Sequence, residues 1–287
     1  MPDRVELFEV GPRDGLQNEP DHIPTAAKID LIDRLSRVGF GRIEVASFVS
    51  PRWVPQMADA ADVLAGLTRR DGVSFTALTP NLVGYDRAIA AGADEIAVFA
   101  SASEGFSQSN INCSISESLD RFAPLVARAR VDKVQVRAYV SCVVECPFDG
   151  PVAPDAVLSV ASALRDIGCH ELSLGDTLGR ADQDQVSALL DTVCGKLPAR
   201  ILAGHFHDTF GQAIANIETS LDYGLRVFDG AVSGLGGCPY APGAPGNVAT
   251  EMVNARLVAL GYDTGLNSVA LNDAAKFAKT LRTKRSR

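Results

Sequence analysis

Two histidines stand two residues apart at the end of an apolar run, in Ile201-Leu202-Ala203-Gly204-His205-Phe206-His207-Asp208-Thr209. Side chains alternate along a strand, so His205 and His207 face the same side, roughly 7 Å apart. Neutral imidazole is the commonest metal-ligating side chain, and two on one face suit a single cation. By itself the spacing equally suits a pair of satisfied polar side chains at a strand end.

The polar residues elsewhere tip that balance. Arg13-Asp14 follows the first apolar run, Glu44 lies within the second, and Asp176-Thr177 ends a later one. Gly234-Leu235-Gly236-Gly237-Cys238-Pro239-Tyr240 follows the last, with Asn247 beyond it. Asp14 offers a hard carboxylate oxygen, His205 and His207 offer nitrogens, and Asn247 offers an amide oxygen. A mixed oxygen and nitrogen set without thiolate suits Mg²⁺ or Mn²⁺ better than structural zinc. An octahedral cation so held keeps positions open for substrate oxygens, which it would polarise as a Lewis acid.

Such residues need a frame that brings them together. Apolar, β-branched runs fall at 5–10, 42–47, 74–78, 95–100, 134–140, 171–175, 201–205 and 227–232. They recur about every 32 residues, room for one strand and one helix. Helix signals fill the gaps: Pro24-Thr25 before a stripe of Ile29, Ile32, Leu35 and Val38, a capping box at Ser114 and Glu117, Pro154 before a run ending at Gly168, a helix at 212–223 and one starting at Asn247. The strands read as apolar on both faces, the pattern of a parallel sheet covered by helices. Eight units predict an α/β fold, a closed (β/α)8 TIM barrel, with an additional C-terminal helix over 267–282. An open doubly wound sheet would favour G-x-G-x-x-G after the first strand, where the chain has Gly11-Pro12-Arg13-Asp14-Gly15. No linker interrupts the pattern, so residues 1–287 read as one domain. In such a barrel the site lies at the C-terminal strand ends, where Arg13, Asp14, Glu44, Asp176, His205 and His207 all fall.

Net charge of -8 argues against nucleic acid as a partner. No apolar run approaches the ~20 residues that cross a bilayer, and no signal segment opens the chain. Six cysteines at scattered positions form no disulfide or zinc pattern, which predicts a reducing cytoplasm. The glycine and proline loop at 234–246 reads as a tight connection, or as a mobile lid carrying Cys238. Trp53, the single tryptophan, reads equally as a pocket wall and as core packing. The basic residues from Lys276 to Arg287 read first as a solvated helix end and second as a landing site for phosphates.

Several segments together resemble one family. Val10-Gly11-Pro12-Arg13-Asp14-Gly15-Leu16-Gln17-Asn18-Glu19, Ser47-Phe48-Val49-Ser50-Pro51, Leu78-Thr79-Pro80-Asn81-Leu82, Asn110-Ile111-Asn112-Cys113-Ser114 and Ser173-Leu174-Gly175-Asp176-Thr177 are similar to the 3-hydroxy-3-methylglutaryl-CoA lyases, as is the cysteine loop at 234–240. The wider group includes isopropylmalate and homocitrate synthases, whose usual extra C-terminal region is absent. The resemblance implies cleavage of (S)-3-hydroxy-3-methylglutaryl-CoA to acetyl-CoA and acetoacetate with a divalent cation. It implies metal ligands at Asp14, His205, His207 and Asn247, a catalytic arginine at Arg13 and a reactive cysteine at Cys238. Glu44, Asp176 and Glu251 match residues used around the site, and Gly236, Gly237 and Tyr240 belong to the substrate loop. It implies an acyl-CoA partner, a homo-oligomer of dimer type and, lacking a transit peptide, a bacterial-type cytoplasmic enzyme. His205 and Asp176 are candidates for the base that takes the substrate's hydroxyl proton. Arg13 would meet the enolate oxyanion, oriented by Glu44, and Cys238 or water would protonate the enolate carbon. The alternative is a related lyase or aldolase acting on another 3-hydroxyacyl-CoA or a 2-oxo acid.

Overall fold

The computed structural model of the chain describes residues 2–236 and 246–282. Eight parallel strands close into a barrel: β1 (Glu6–Glu9), β2 (Arg42–Ser47), β3 (Ser74–Leu78), β4 (Glu95–Ser101), β5 (Gln135–Ser141), β6 (Glu171–Asp176), β7 (Leu202–Phe206) and β8 (Val227–Gly230). Each strand pairs with its neighbours in chain order, and β8 returns to β1. The helices are α1 (Thr25–Leu35), α2 (Ala60–Gly66), α3 (Leu82–Ala90), α4 (Glu104–Ile111), α5 (Ile115–Asp132), α6 (Pro154–Ile167), α7 (Gln183–Cys194), α8 (Ala213–Asp222), α9 (Thr250–Ala259) and α10 (Ser268–Leu281). This is the TIM barrel expected from the eightfold alternation, and every expected strand boundary agrees within two residues. None of the described helices is long and apolar enough to cross a membrane.

Local chemistry sets the helix boundaries. Ser114 accepts from the Glu117 amide at 3.1 Å while Glu117 accepts from the Ser114 amide at 2.8 Å, the reciprocal cap that opens α5. Gly168 ends α6 at φ 117°, a conformation that costs other residues energy. Two elements depart from expectation. The short α4 carries no apolar stripe that would announce it, and rests on Ser103 accepting from the Phe106 amide. Residues 247–249, expected to begin a helix, are extended and bridge to β7 and β8, so α9 starts at Thr250.

The strands are not apolar on both faces. Their outer faces join the helices in one continuous core that includes Val5, Leu7, Ile43, Val98, Val140, Leu172 and Leu202. Their inner faces carry charge. Arg137, fully buried, donates from Nε to Glu171 at 2.6 Å and from Nη1 and Nη2 to both oxygens of Asp229. Arg42 bridges Glu6, Glu95 and Glu171 below it. Rings separate the cations: Phe8 lies between Arg42 (4.9 Å to the ring centroid) and Arg137 (4.2 Å), and Tyr139 between Arg137 (4.8 Å) and Arg13 (5.4 Å). A charge can occupy a barrel interior only when it is paired there, and each of these is.

Glu9, on the outer face of β1, ties together three segments that lead to the barrel mouth. Its Oε1 accepts from the Gly11 and Val232 amides, each at 2.8 Å, and its Oε2 lies 2.7 Å from Thr250 Oγ1. Burial, outweighing these hydrogen bonds, pushes its pKa up to about 8. The folded state therefore favours the protonated form. Its contribution is full below the unfolded pKa near 4.5 and is lost as pH rises toward 8. Glu9→Gln keeps the acceptor for both amides and cannot ionise. Its melting temperature relative to the native protein should rise between pH 5 and pH 8, by the equivalent of a few kcal/mol, and level off above. Thermal melts across that range give the test; a difference independent of pH would show that Glu9 is charged in the fold.

Candidate active site

The mouth is assembled by backbone first. After β1 the chain makes a widened helical turn, Gly11–Gly15, in which the Val10 carbonyl receives the amides of Arg13, Asp14 and Gly15. Pro12 has no N–H to place, and the turn sends Arg13 and Asp14 over the barrel end. Register does the same for β7: His205 lies beside Gly175 of β6 and Asp229 of β8. His207, one residue past the strand, bridges to Asn247, and the Asp208 amide donates to the Gly246 carbonyl at 2.7 Å. Asn247 is thus placed beside the histidines by the backbone.

One ligand atom each from Asp14, His205 and His207 lie within 4.8 Å of one another. The histidine rings are 5.4 Å apart between centroids. Burial, assisted by His205, lowers the pKa of His207 to about 4, so its imidazole is neutral at neutral pH and keeps a lone pair. Its Nδ1 is buried and has no hydrogen-bond partner among the described residues. Burial opposes the charge on Asp14, but Arg13 and its other neighbours outweigh it and hold the carboxyl below the usual carboxylate range. An anionic oxygen, two imidazoles and an orphaned buried nitrogen fit a divalent cation.

Asn247 meets Asp14 through its nitrogen: Nδ2 is 2.6 Å from Asp14 Oδ2 and 3.3 Å from the Leu235 carbonyl. A carboxylate attracts the donor end of an amide, and a half-turn about the terminal bond exchanges nitrogen for the oxygen expected as a ligand. Gln17 holds the other Asp14 oxygen at 3.1 Å. Arg13 donates from Nε to Glu44 at 2.6 Å and from Nη1 to Asp14 at 2.7 Å, with Nη2 at 2.5 Å from Glu44. Of five guanidinium donors, about two then remain for a ligand. Tyr139 also donates to Glu44, at 3.0 Å.

Asp176 lies at the mouth but faces its own backbone. Its two oxygens accept from the amides of Gly179, Arg180 and Ala181 at 3.0–3.3 Å. This folds the loop after β6 so that Gly179, at φ 65°, sits against the His207 carbonyl, where a Cβ would come within 2.7 Å. Glu251 accepts from the Ser233 amide at 2.9 Å, fixing a turn in which Ser233 itself is left-handed at φ 61°. Gly236, at φ 101°, leaves room for Asn247 Nδ2, which a Cβ would approach at 3.0 Å. Gly237, Cys238 and Tyr240 lie outside the described residues. Trp53 is 82% exposed, which removes the core-packing reading. In the basic tail Lys276 pairs with Asp273, and Arg282 donates to the Gly234 carbonyl at 2.6 Å. Gln17, Tyr139, Arg137 and Asp229 were not among the expected site residues, although Gln17 and Tyr139 stand in segments, 10–19 and 139–142, that resemble the family. Tyr139, Arg137 and Asp229 sit within strands, where a period-two count of polar residues would have found them.

The HMGL-like family model matches residues 4–278. A 3-hydroxy-3-isohexenylglutaryl-CoA/hydroxy-methylglutaryl-CoA lyase of Pseudomonas aeruginosa is 54% identical, over 96% of this chain and 92% of that one. The crystal structure of the HMG-CoA lyase from Brucella melitensis superposes with a TM-score of 0.97 at 57% identity, covering 98% of this chain and 99% of that one. An HMG-CoA lyase from Acinetobacter baumannii, solved in complex with coenzyme A and 3-methylmalate, gives 0.92 at 35% identity over 99% and 97%. With its barrel and nearly its whole length matched, the chain belongs to the HMGL-like family.

Proposed function

We propose that the protein cleaves (S)-3-hydroxy-3-methylglutaryl-CoA to acetyl-CoA and acetoacetate, with Mg²⁺ or Mn²⁺ held by Asp14, His205, His207 and Asn247. The observation that carries this reading is the guanidinium of Arg13, clamped by Glu44 at the edge of an Asp-His-His cluster. The relatives named as lyases of this substrate support it. When bound, the cation supplies Lewis acidity toward substrate oxygens.

The chain's own residues do the rest. The substrate's tertiary hydroxyl gives its proton to His205 or to Asp176; with Nδ1 facing Asp229 at 3.0 Å, Nε2 is the nitrogen His205 presents for it. One lone pair serves one partner at a time, so His205 acts as base only while not a ligand. Asp176 shapes the loop beside His207 through three amides, keeps acceptor capacity on Oδ2, and is the base while His205 holds the cation. Loss of the hydroxyl proton lets the adjacent C–C bond break, releasing acetoacetate and leaving acetyl-CoA as its enolate. Arg13, immobile and always charged, directs its remaining donors at that oxyanion. Cys238 returns a proton to the enolate carbon.

A second reading concerns acyl-chain length. The Pseudomonas aeruginosa relative is named for a longer branched substrate as well. Turnover of 3-hydroxy-3-methylglutaryl-CoA and of its isohexenyl counterpart, measured side by side, distinguishes the two.

A chelator should abolish turnover, and Mg²⁺ or Mn²⁺ should restore it; full turnover in excess chelator would remove the cation from the proposal. Arg13→Gln keeps hydrogen bonding and loses the charge. Because that charge matters when the oxyanion develops, kcat should fall by ~10²-fold or more, roughly 3 kcal/mol of barrier, with KM little changed. A normal kcat with a raised KM would make Arg13 a binding residue only. Cys238 should be alkylated faster than Cys113, Cys142, Cys146 and Cys169, which are buried. Burial also pushes the Cys142 and Cys169 thiols up to about 12, leaving little thiolate to react. Bound substrate should protect Cys238, and Cys238→Ala should lose turnover while staying folded. Wild-type turnover in that variant would assign the protonation to water.

A further inference from the structure

Asp229 lies outside the Asp-His-His cluster, yet among the described residues it is the one side chain that grips a ring nitrogen of that cluster from behind. We propose that Asp229 is a positioning residue: it fixes His205 as the Nδ1–H tautomer and thereby aims the Nε2 lone pair at the space shared with Asp14 and His207. This rests on the cation reading above.

The geometry gives Asp229 no other state. It is His205's in-register neighbour across β7 and β8, so the two side chains share the inner face without a bend in either strand. His205 Nδ1 is 3.0 Å from Asp229 Oδ2. The same oxygen receives Ser173 Oγ at 2.8 Å and Arg137 Nη1 at 3.2 Å, and Oδ1 receives Arg137 Nη2 at 2.5 Å. Arg137 has only donors, so the carboxylate it grips is held as an acceptor. An acceptor facing His205 requires the proton on Nδ1. In a neutral imidazole that leaves the lone pair on Nε2. The Nε2–H tautomer would set a lone pair against a carboxylate in a buried site.

The ring plane is held as well. Tyr139 meets His205 edge-on, with centroids 6.0 Å apart and planes at 83°. Arg137 cannot slide away, because Glu171 holds its Nε at 2.6 Å and it is stacked between Phe8 and Tyr139. His207 has no such partner on Nδ1 among the described residues. One histidine of the pair is thus oriented by the barrel and the other by the cluster it joins. Such a carboxylate behind a ligating histidine typically changes metal affinity by ~10–100-fold when replaced.

Asp229→Asn separates positioning from mere charge pairing. Arg137 donates to both oxygen positions, so in the amide one N–H₂ must face either an Arg137 donor or His205, and the pair of acceptors that enforced Nδ1–H is lost. The chain has four histidines, so ¹⁵N-histidine labelling resolves each imidazole, with His205→Gln to assign the signal. In the metal-free native protein His205 should show Nδ1–H and an unprotonated Nε2. In Asp229→Asn the signal should move toward Nε2–H, and the Mn²⁺ Kd, measured by titration without substrate, should weaken ~10–100-fold. Ser173→Ala, which removes another donor from the same oxygen and leaves charge and His205 contact intact, should keep the native tautomer and a Kd within ~3-fold. A native His205 protonated at Nε2 overturns the proposal, as does an Asp229→Asn protein with native tautomer and native Kd. If Asp229→Asn does not fold, the native tautomer decides. If the native protein binds no Mn²⁺, the cation reading falls, and the tautomer measurement still judges Asp229.

Discussion

Arg137 is a full positive charge with no exposed surface, placed at the centre of a closed barrel. Bringing an ion there costs several kcal/mol, and good geometry with all three of its nitrogens donating to carboxylates is what offsets it. Glu171 and Asp229 provide that geometry, and Phe8 and Tyr139 cover the two faces of the guanidinium. Because Asp229 also holds His205, and Tyr139 also holds Glu44, the mouth inherits its coordinates from this ion. Removing either partner of a buried pair costs more than the pair contributes, which makes the arrangement rigid.

That rigidity is used differently by each group at the mouth. Arg13 is fixed from the side by Glu44, so its position does not depend on what binds in front of it. Asp14 is shared among Arg13, Gln17 and Asn247, all of them donors, which keeps its oxygens anionic. His207 is kept neutral by burial. Charge and lone pair therefore coexist a few ångströms apart without neutralising each other. The loops carrying these groups are held by acidic side chains bonded to backbone amides: Glu9 for the turns after β1 and β8, Asp176 for the loop after β6, Glu251 for the turn at Ser233.

The outer architecture was legible because it is a matter of period. Apolar runs at regular intervals with capped helices between them gave eight strands and their order, and the C-terminal strand ends followed. Asp14, His205 and His207 were legible because ligand-type residues stood at those ends. The inner face was legible only at Glu44. Arg137 and Asp229 sit singly among apolar neighbours and Glu171 follows one histidine, and a window average hides a charge that is satisfied by a residue up to 129 positions away. The extended segment at 247–249 was missed for a similar reason: its backbone partners are Phe206, His207 and Ala231, and nothing local states that they will be adjacent. Asp176 was legible by position but not by its contacts. Its place at a strand end was read correctly from the sequence, but its three amide partners come from the turn that follows.

The bridge between His207 and Asn247, together with the pairing of β1 and β8, has a bearing on how the protein is made. The cluster joins positions 14, 205, 207 and 247, which span most of the chain, and the seam at β1 and β8 is the last that synthesis can provide. A nascent chain can stack the early strands and cover them with helices, but it holds Asp14 alone until the final quarter has emerged. Ion capture therefore cannot nucleate this barrel. The proposed cation would meet a barrel already closed, and would hold the finished fold as a lock holds a shut door while leaving the order of assembly to the strands.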